Sequence, residues 1–166
     1  GVQCQQYGGN VNAVTRLSGQ TVIAMTNDWL KPLDPANGSM ALAVDSIDAS
    51  YLTGWTDLDA FWNDFASDGK LEENGESSPS RSGQTVNGAL AVSMKLQPGE
   101  TRTVRFTLSW HFPNRTVNWS QRPFFNFTDE RSTFWLGNRY NTRFASALDV
   151  AAYIGRERDR LTELTR

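Results

Sequence analysis

The sequence predicts a mainly β fold: an antiparallel β-sandwich with one short helix inserted and a C-terminal linker helix. Three observations carry that prediction. Two runs alternate apolar and polar residues on either side of Pro98-Gly99, the period of a half-buried strand. Shorter apolar runs earlier in the chain are separated by turn signals: Lys31-Pro32, Asp34-Pro35 and Asn37-Gly38. A helical period is confined to one segment near Phe61 and to the end of the chain. Successive strand runs without alternating helices imply antiparallel sheets rather than a parallel one.

Through Asn27 the chain is polar apart from Val22-Ile23-Ala24-Met25, which suits a buried strand. After the turn signals, Met40, Leu42 and Val44 fall on one side of a strand starting at Ser39, and Tyr51-Leu52-Thr53-Gly54-Trp55 forms another. From Asp57 to Ser67 the spacing of Leu58, Phe61, Trp62, Phe65 and Ala66 predicts a helix with one continuous apolar face. Thr56 or Asp57 can cap its start, Gly69 can take the left-handed stop, and Asp57 and Asp59 suit the helix dipole. A polar loop follows from Glu72 to Gly83.

Leu90, Val92, Met94 and Leu96 then alternate, Gln97-Pro98-Gly99-Glu100 has the pattern of a type II turn, and Val104, Phe106, Leu108 and Trp110 alternate on the return. These runs predict an antiparallel hairpin over 89–110 with Val92, Met94, Phe106 and Trp110 buried. Residues 110–144 hold 10 of the 19 aromatics and lose the alternation. Tyr140, Phe144, Ala147, Leu148, Ala151 and Ile154 mark a helix face that Leu161 and Leu164 prolong, weakened at Gly155. The expected organisation is a sandwich domain over 1–138 and a helix over 139–166 leading towards a further domain.

Composition narrows the function. With 166 residues, 39% apolar and 20% charged, the chain is the size of one ordinary domain and is neither collagenous, coiled-coil nor disordered in bulk. No apolar run approaches the roughly 18–20 residues of a membrane span. No signal peptide is visible and the compartment stays open; a start at Gly1 without Met reads as a piece of something longer. Residues 1–100 carry 12 acids and 5 bases, residues 101–166 carry 6 and 11. The later bases are interspersed with acids, which suits a solvated surface and an interface where Arg pairs with carboxylates, not a nucleic-acid footprint.

The chemistry-bearing residues are few. Cys4 is the single cysteine and His111 the single histidine, so no disulfide within the chain and no multi-histidine zinc site can form; no cofactor or metal is expected. Phosphate-cradling glycine motifs and a Gly-x-Ser-x-Gly elbow are absent. His111 follows a strand and precedes Phe112-Pro113, a turn setting rather than a triad. Glycoside hydrolysis needs two carboxylates roughly 5–10 Å apart across a cleft. The close pairs are Asp57/Asp59 at a helix start, Glu72/Glu73 in a polar loop, and Asp129/Glu130 beside Arg131, and none has an apolar setting that makes a general acid. Sequons occur at Asn37, Asn114, Asn118 and Asn126; the dense aromatics around the last three suit core or interface, or stacking on sugar rings.

One stretch resembles a known family. Leu96-Gln97-Pro98-Gly99-Glu100-Thr101, then Val104 to Trp110 followed by His111-Phe112-Pro113-Asn114-Arg115, is similar to the end of the N-terminal domain of glycoside hydrolase family 116, the β-glucosidase and non-lysosomal glucosylceramidase family. Gly137-Asn138-Arg139-Tyr140-Asn141-Thr142-Arg143-Phe144 and Asp149-Val150-Ala151-Ala152 follow in the matching order. The resemblance covers 89–154 well and 38–55 loosely. It implies a non-catalytic sandwich domain of a retaining β-glucoside hydrolase, with both catalytic carboxylates in a C-terminal α/α barrel, so no catalytic residue is assigned here. The implied partner is that barrel on the same polypeptide, with a β-glucoside substrate met only indirectly. The expected interface residues are Phe124, Phe125, Trp135, Arg139, Tyr140, Arg143 and Phe144. An autonomous carbohydrate-binding or protein-interaction sandwich is the alternative.

Overall fold

The computed structural model describes residues 8–72, 74–118 and 133–165. Its order is β1 (Asn10–Leu17), β2 (Gln20–Asn27), β3 (Ser39–Val44), β4 (Ser50–Trp55), α1 (Leu58–Asp68), β5 (Asn87–Ala91), β6 (Phe106–His111), β7 (Thr116–Asn118), β8 (Thr133–Trp135), a 3-10 turn over Arg139–Thr142, and α2 (Ala147–Leu164). Among the described residues all strand pairings are antiparallel, and the fold is mainly β, as the sequence predicts. A four-stranded sheet runs β1-β2-β3-β6, and β4-β5 and β7-β8 form two-stranded sheets.

β1 is a strand the hydrophobic pattern does not reveal. It joins β2 through Ser18-Gly19, whose φ values of 52° and 79° put both central residues in the left-handed region. That is the geometry of a two-residue primed turn, which matches the twist of the flanking strands.

Register sorts the large sheet into two faces. One face carries Asn12 opposite Met25, Ile23 opposite Leu42, and Leu42 opposite Leu108. The β4-β5 pair lies over its β1-β2 half, where Gly88 sits so close to Ile23 that a Cβ would meet the Ile23 side chain at 3.2 Å. The Asn12 amide crosses between the layers, donating to the carbonyls of Thr53 at 3.0 Å and Val86 at 3.3 Å. The opposite face is covered by α2, where Val22, Ala41, Ala43, Ala147 and Ala151 are fully buried and Leu148 packs against them. Small side chains let the helix sit close: Ser109 Oγ donates to the Ala147 carbonyl at 2.9 Å, and Ser39 Oγ accepts from Ala147 N–H at 2.9 Å. Arg158 secures the far end by pairing with Asp45 at 2.6 Å.

Three expectations are corrected. The predicted hairpin over 89–110 does not form: β5 pairs with β4, and β6 with β3. The turn itself is present, with Gly99 at φ 81° and Glu100 N–H bonded to the Gln97 carbonyl. A type II turn splays its flanking strands instead of matching their twist, and here it connects two sheets. The predicted burial of Phe106 and Trp110 is inverted as well. They are 52% and 62% exposed, while Ser109 and His111 on the opposite face of the strand are buried, Ser109 against α2 and His111 against Tyr140. The terminal helix is also shorter than its apolar pattern, because Ser146 caps it by accepting from Asp149 N–H. Tyr140 belongs to the 3-10 turn, and Phe144 lies between the two. α1 follows the prediction, with Asp57 accepting from Ala60 N–H at the start and left-handed Gly69 at the end.

Candidate functional site

Of the interface residues expected from the sequence, Trp135, Arg139 and Tyr140 lie in β8 and the 3-10 turn, and Arg143 and Phe144 directly after that turn. Side-chain amides hold this region together. Asn114 is buried; its amide donates to the carbonyls of Pro32 at 2.7 Å and Asp34 at 2.9 Å, and its oxygen accepts from Trp135 Nε1 at 3.0 Å. Arg115 supplies one carbonyl to both Leu136 and Gly137 amides. Gly137 takes φ 65°, the left-handed region that favours glycine, and a Cβ there would come within 2.7 Å of the Trp135 ring, so a larger residue would be strained and would displace the indole. Asn138 donates to the Phe112 carbonyl at 2.8 Å, and Asn141 to that of Pro113 at 2.9 Å.

Tyr140 closes this scaffold. Its hydroxyl donates to the Phe112 carbonyl at 2.6 Å and accepts from Asn138 at 3.0 Å, and its ring meets His111 edge-on at 5.1 Å. His111 is buried and its Nε2 has no partner among the described residues, so nothing there equips it as a catalytic base. Phe144 is half-buried, packed edge-on against Tyr153 at 5.4 Å.

What remains outside is apolar and basic. Phe134, Trp135, Leu136 and Tyr140 are exposed, and so are Arg139 and Arg143, whose guanidinium groups have no carboxylate partner among the described residues. Trp135, Arg139, Tyr140 and Arg143 are thus brought to one neighbourhood, with Phe144 turned partly inward. Phe124 and Phe125 lie outside the described residues, as do Cys4, Glu73, Asn126, Asp129, Glu130 and Arg131.

No carboxylate pair gathers into a catalytic arrangement among the described residues. Asp57 is committed to capping α1. Asp57, Asp64 and Glu72 do border a cavity of about 260 Å³ beside the stacked rings of Trp55 and Phe61. All three are solvent-exposed and lack the apolar enclosure in which a general acid is held. A second cleft of about 400 Å³ lies between the sheets, lined by Asn12, Met25, Met40, Val86 and Phe112 among others, with no ionisable group in its walls. Among the described residues no three His, Cys, Asp or Glu side chains cluster to hold a metal ion, and no helix is long and apolar enough to cross a membrane.

Sequence reasoning missed the scaffold asparagines. Asn114 stands out only as a sequon, whereas its amide is fully used inside the fold; the Asn37 amide is likewise bonded to the carbonyls of Leu30 and Lys31. The signal that could have found them is Asn-rich sequence beside prolines, where carbonyls lack backbone partners. Residues 1–161 match the family model described as beta-glucosidase 2, glycosyl-hydrolase family 116 N-terminal. The chain therefore belongs to glycosyl-hydrolase family 116, as its N-terminal domain.

Proposed function

We propose that this domain is non-catalytic and supports a C-terminal α/α-barrel catalytic domain of a retaining β-glucoside hydrolase, docking through the Trp135–Arg143 surface. The observation that carries the reading is the pairing of a rigid scaffold with unused binding capacity. Trp135 and Tyr140 are fixed by hydrogen bonds yet exposed, and Arg139 and Arg143 beside them are unpaired among the described residues. Aromatic and arginine anchors of this kind dominate interface energetics, and guanidinium groups take carboxylates in bidentate fashion.

The test sets residues 1–166 beside the full-length polypeptide on aryl β-glucosides. Turnover is expected only from the full-length protein. Arg139→Glu combined with Arg143→Glu in the full-length protein should lower its melting temperature and activity. Turnover by residues 1–166 alone that is lost in Asp57→Asn or Glu72→Gln refutes the proposal. Tight binding of cello-oligosaccharides by a monodisperse monomer of residues 1–166 would support an autonomous carbohydrate-binding module instead.

A further inference from the structure

An Asn-Gly pair is a place where a chain can attack its own side chain, because glycine has no Cβ to keep its amide nitrogen away from the preceding carboxamide. The sequence has three such pairs: Asn37-Gly38, Asn74-Gly75 and Asn87-Gly88. In two of them hydrogen bonds hold the carboxamide nitrogen. Asn37 Nδ2 donates to the carbonyls of Leu30 at 3.2 Å and Lys31 at 2.9 Å, and Asn87 Nδ2 to that of Trp55 at 3.1 Å. Their glycines are also hemmed in, Gly38 against Phe112 and the His111 carbonyl, and Gly88 within β5 against Ile23. Ring closure at either pair would have to move packed backbone.

Asn74 has the opposite arrangement. Its Oδ1 accepts from Thr53 N–H at 2.7 Å and from Thr53 Oγ1 at 2.8 Å. A backbone N–H can only donate, so it is the carboxamide oxygen that faces Thr53. Thr53 is fully buried in β4, which fixes both donors, while Asn74 and Gly75 are exposed. The Thr53 hydroxyl also reaches the Gly75 carbonyl at 2.5 Å, so its proton can serve either oxygen. Gly75 itself is unencumbered: nothing lies within 4 Å of where a Cβ would be, and its N–H has no acceptor among the described residues.

We propose that Asn74-Gly75 is a self-modification site, with the two Thr53 donors serving as an oxyanion hole. Gly75 N loses its proton to solvent base, and its electron pair forms a bond to Asn74 Cγ. The carbonyl electrons move onto Oδ1, where Thr53 N–H and Oγ1–H stabilise the negative charge. Collapse expels Nδ2, which takes a proton from water and leaves as ammonia, closing a succinimide ring. Water then adds to either ring carbonyl and opens the ring, giving aspartate or isoaspartate at position 74. Donors aimed at the oxygen that becomes charged accelerate such a step, and donors to carbonyls elsewhere from the leaving nitrogen do not. Aspartate keeps an acceptor for both Thr53 donors. Isoaspartate adds a methylene to the main chain just before Ser77, which covers the β1 edge by donating to the Asn12 carbonyl at 2.8 Å.

The full-length polypeptide tests this when aged at mildly alkaline pH in isotopically labelled water and mapped by peptide mass spectrometry, beside the same protein unfolded in urea. Asn74 should convert faster in the folded protein than in the unfolded one, taking up one solvent oxygen and yielding both aspartate and isoaspartate. Asn37 and Asn87 should convert more slowly folded than unfolded. Thr53→Val keeps the side-chain size and the N–H but lacks the hydroxyl, and should slow conversion at position 74 by roughly tenfold, below the 10²–10³ carried by an oxyanion donor in an enzyme. Gly75→Ala, whose Cβ meets no neighbour, should nearly abolish it. Conversion of Asn74 that is slower folded than unfolded overturns the proposal without any variant. An unchanged or faster rate in Thr53→Val overturns it too, since the Thr53 bonds then restrain the loop instead of activating the carboxamide. An unchanged rate in Gly75→Ala does the same, because the amide is then hydrolysed directly with no ring.

Discussion

Asn12→Leu should destabilise the domain more than Asn12→Ala, although leucine is the larger and more apolar residue. Asn12 is 2% exposed and donates to two carbonyls across the sheet interface, those of Thr53 and Val86. Removing a donor strands a buried acceptor at about 1–3 kcal/mol each. Two acceptors set an upper range of roughly 2–6 kcal/mol, realised only if water stays out. Leucine keeps water out by filling the space. Alanine leaves a void open to the cleft of about 400 Å³ that Asn12 itself lines, and water there can bond both carbonyls.

The alanine variant should therefore lose about 1–2 kcal/mol and the leucine variant about 3–5 kcal/mol. At roughly 2–4 °C per kcal/mol for a chain of this size, the two melting temperatures should differ by about 4–12 °C. Thermal and urea unfolding of both variants measure this directly. If Asn12→Leu unfolds within about 0.5 kcal/mol of the parent, the cross-layer amide is not what ties the sheets, and the reasoning fails.

Asn114→Ala should cost about 2–4 kcal/mol by stranding the Pro32 and Asp34 carbonyls and the Trp135 indole, with Trp135 fluorescence shifting to the red. Gly155→Ala should destabilise despite the helix propensity gain of about 1 kcal/mol, since its Cβ would meet buried Gln20 Oε1 at 2.9 Å; in a Gln20→Ala background the sign should reverse. Glu100 sits below the ordinary glutamate range because Gln97 N–H, and then Arg102, bond its carboxylate. A lowered carboxylate contributes stability that is present above its unfolded pKa and lost as pH falls through the lowered folded value. Because Glu100 is solvated, the readout is local: the Gln97 amide resonance should titrate with a midpoint below that of a model glutamate peptide. Tyr140→Phe should cost about 1 kcal/mol and speed exchange at Phe112 N–H, which the hydroxyl accepts.

Strands with one plainly apolar side were legible, and those whose partners lie across layers were not. Met40, Leu42 and Val44 locate β3 because all three project to the same side of a continuous register. β1 hides because its buried and half-buried positions include Asn10 and Asn12, and Asn12 is buried through hydrogen bonds to another sheet. α1 could be delimited to within a residue because both of its caps are local: Asp57 to Ala60, and Gly69 to Phe65. At the candidate interface, the sequence offers Trp135, Tyr140, Arg139 and Arg143 as an expectation, and the structure shows their exposure. The asparagines that hold two of them in place bond to carbonyls 26 to 82 residues away, beyond any local pattern.

β6 shows why alternation fixes a period without fixing a partner. Its two faces differ sharply, Phe106, Leu108 and Trp110 on one and Thr107, Ser109 and His111 on the other. Hydrophobicity assigns the aromatic face to the core, yet α2 selects the small face, because Ala147 and Ala151 reach full burial only where the sheet offers Ala41, Ala43 and Ser109. Close approach between backbones rewards small residues, and bulky ones on that face would lift the helix off the sheet.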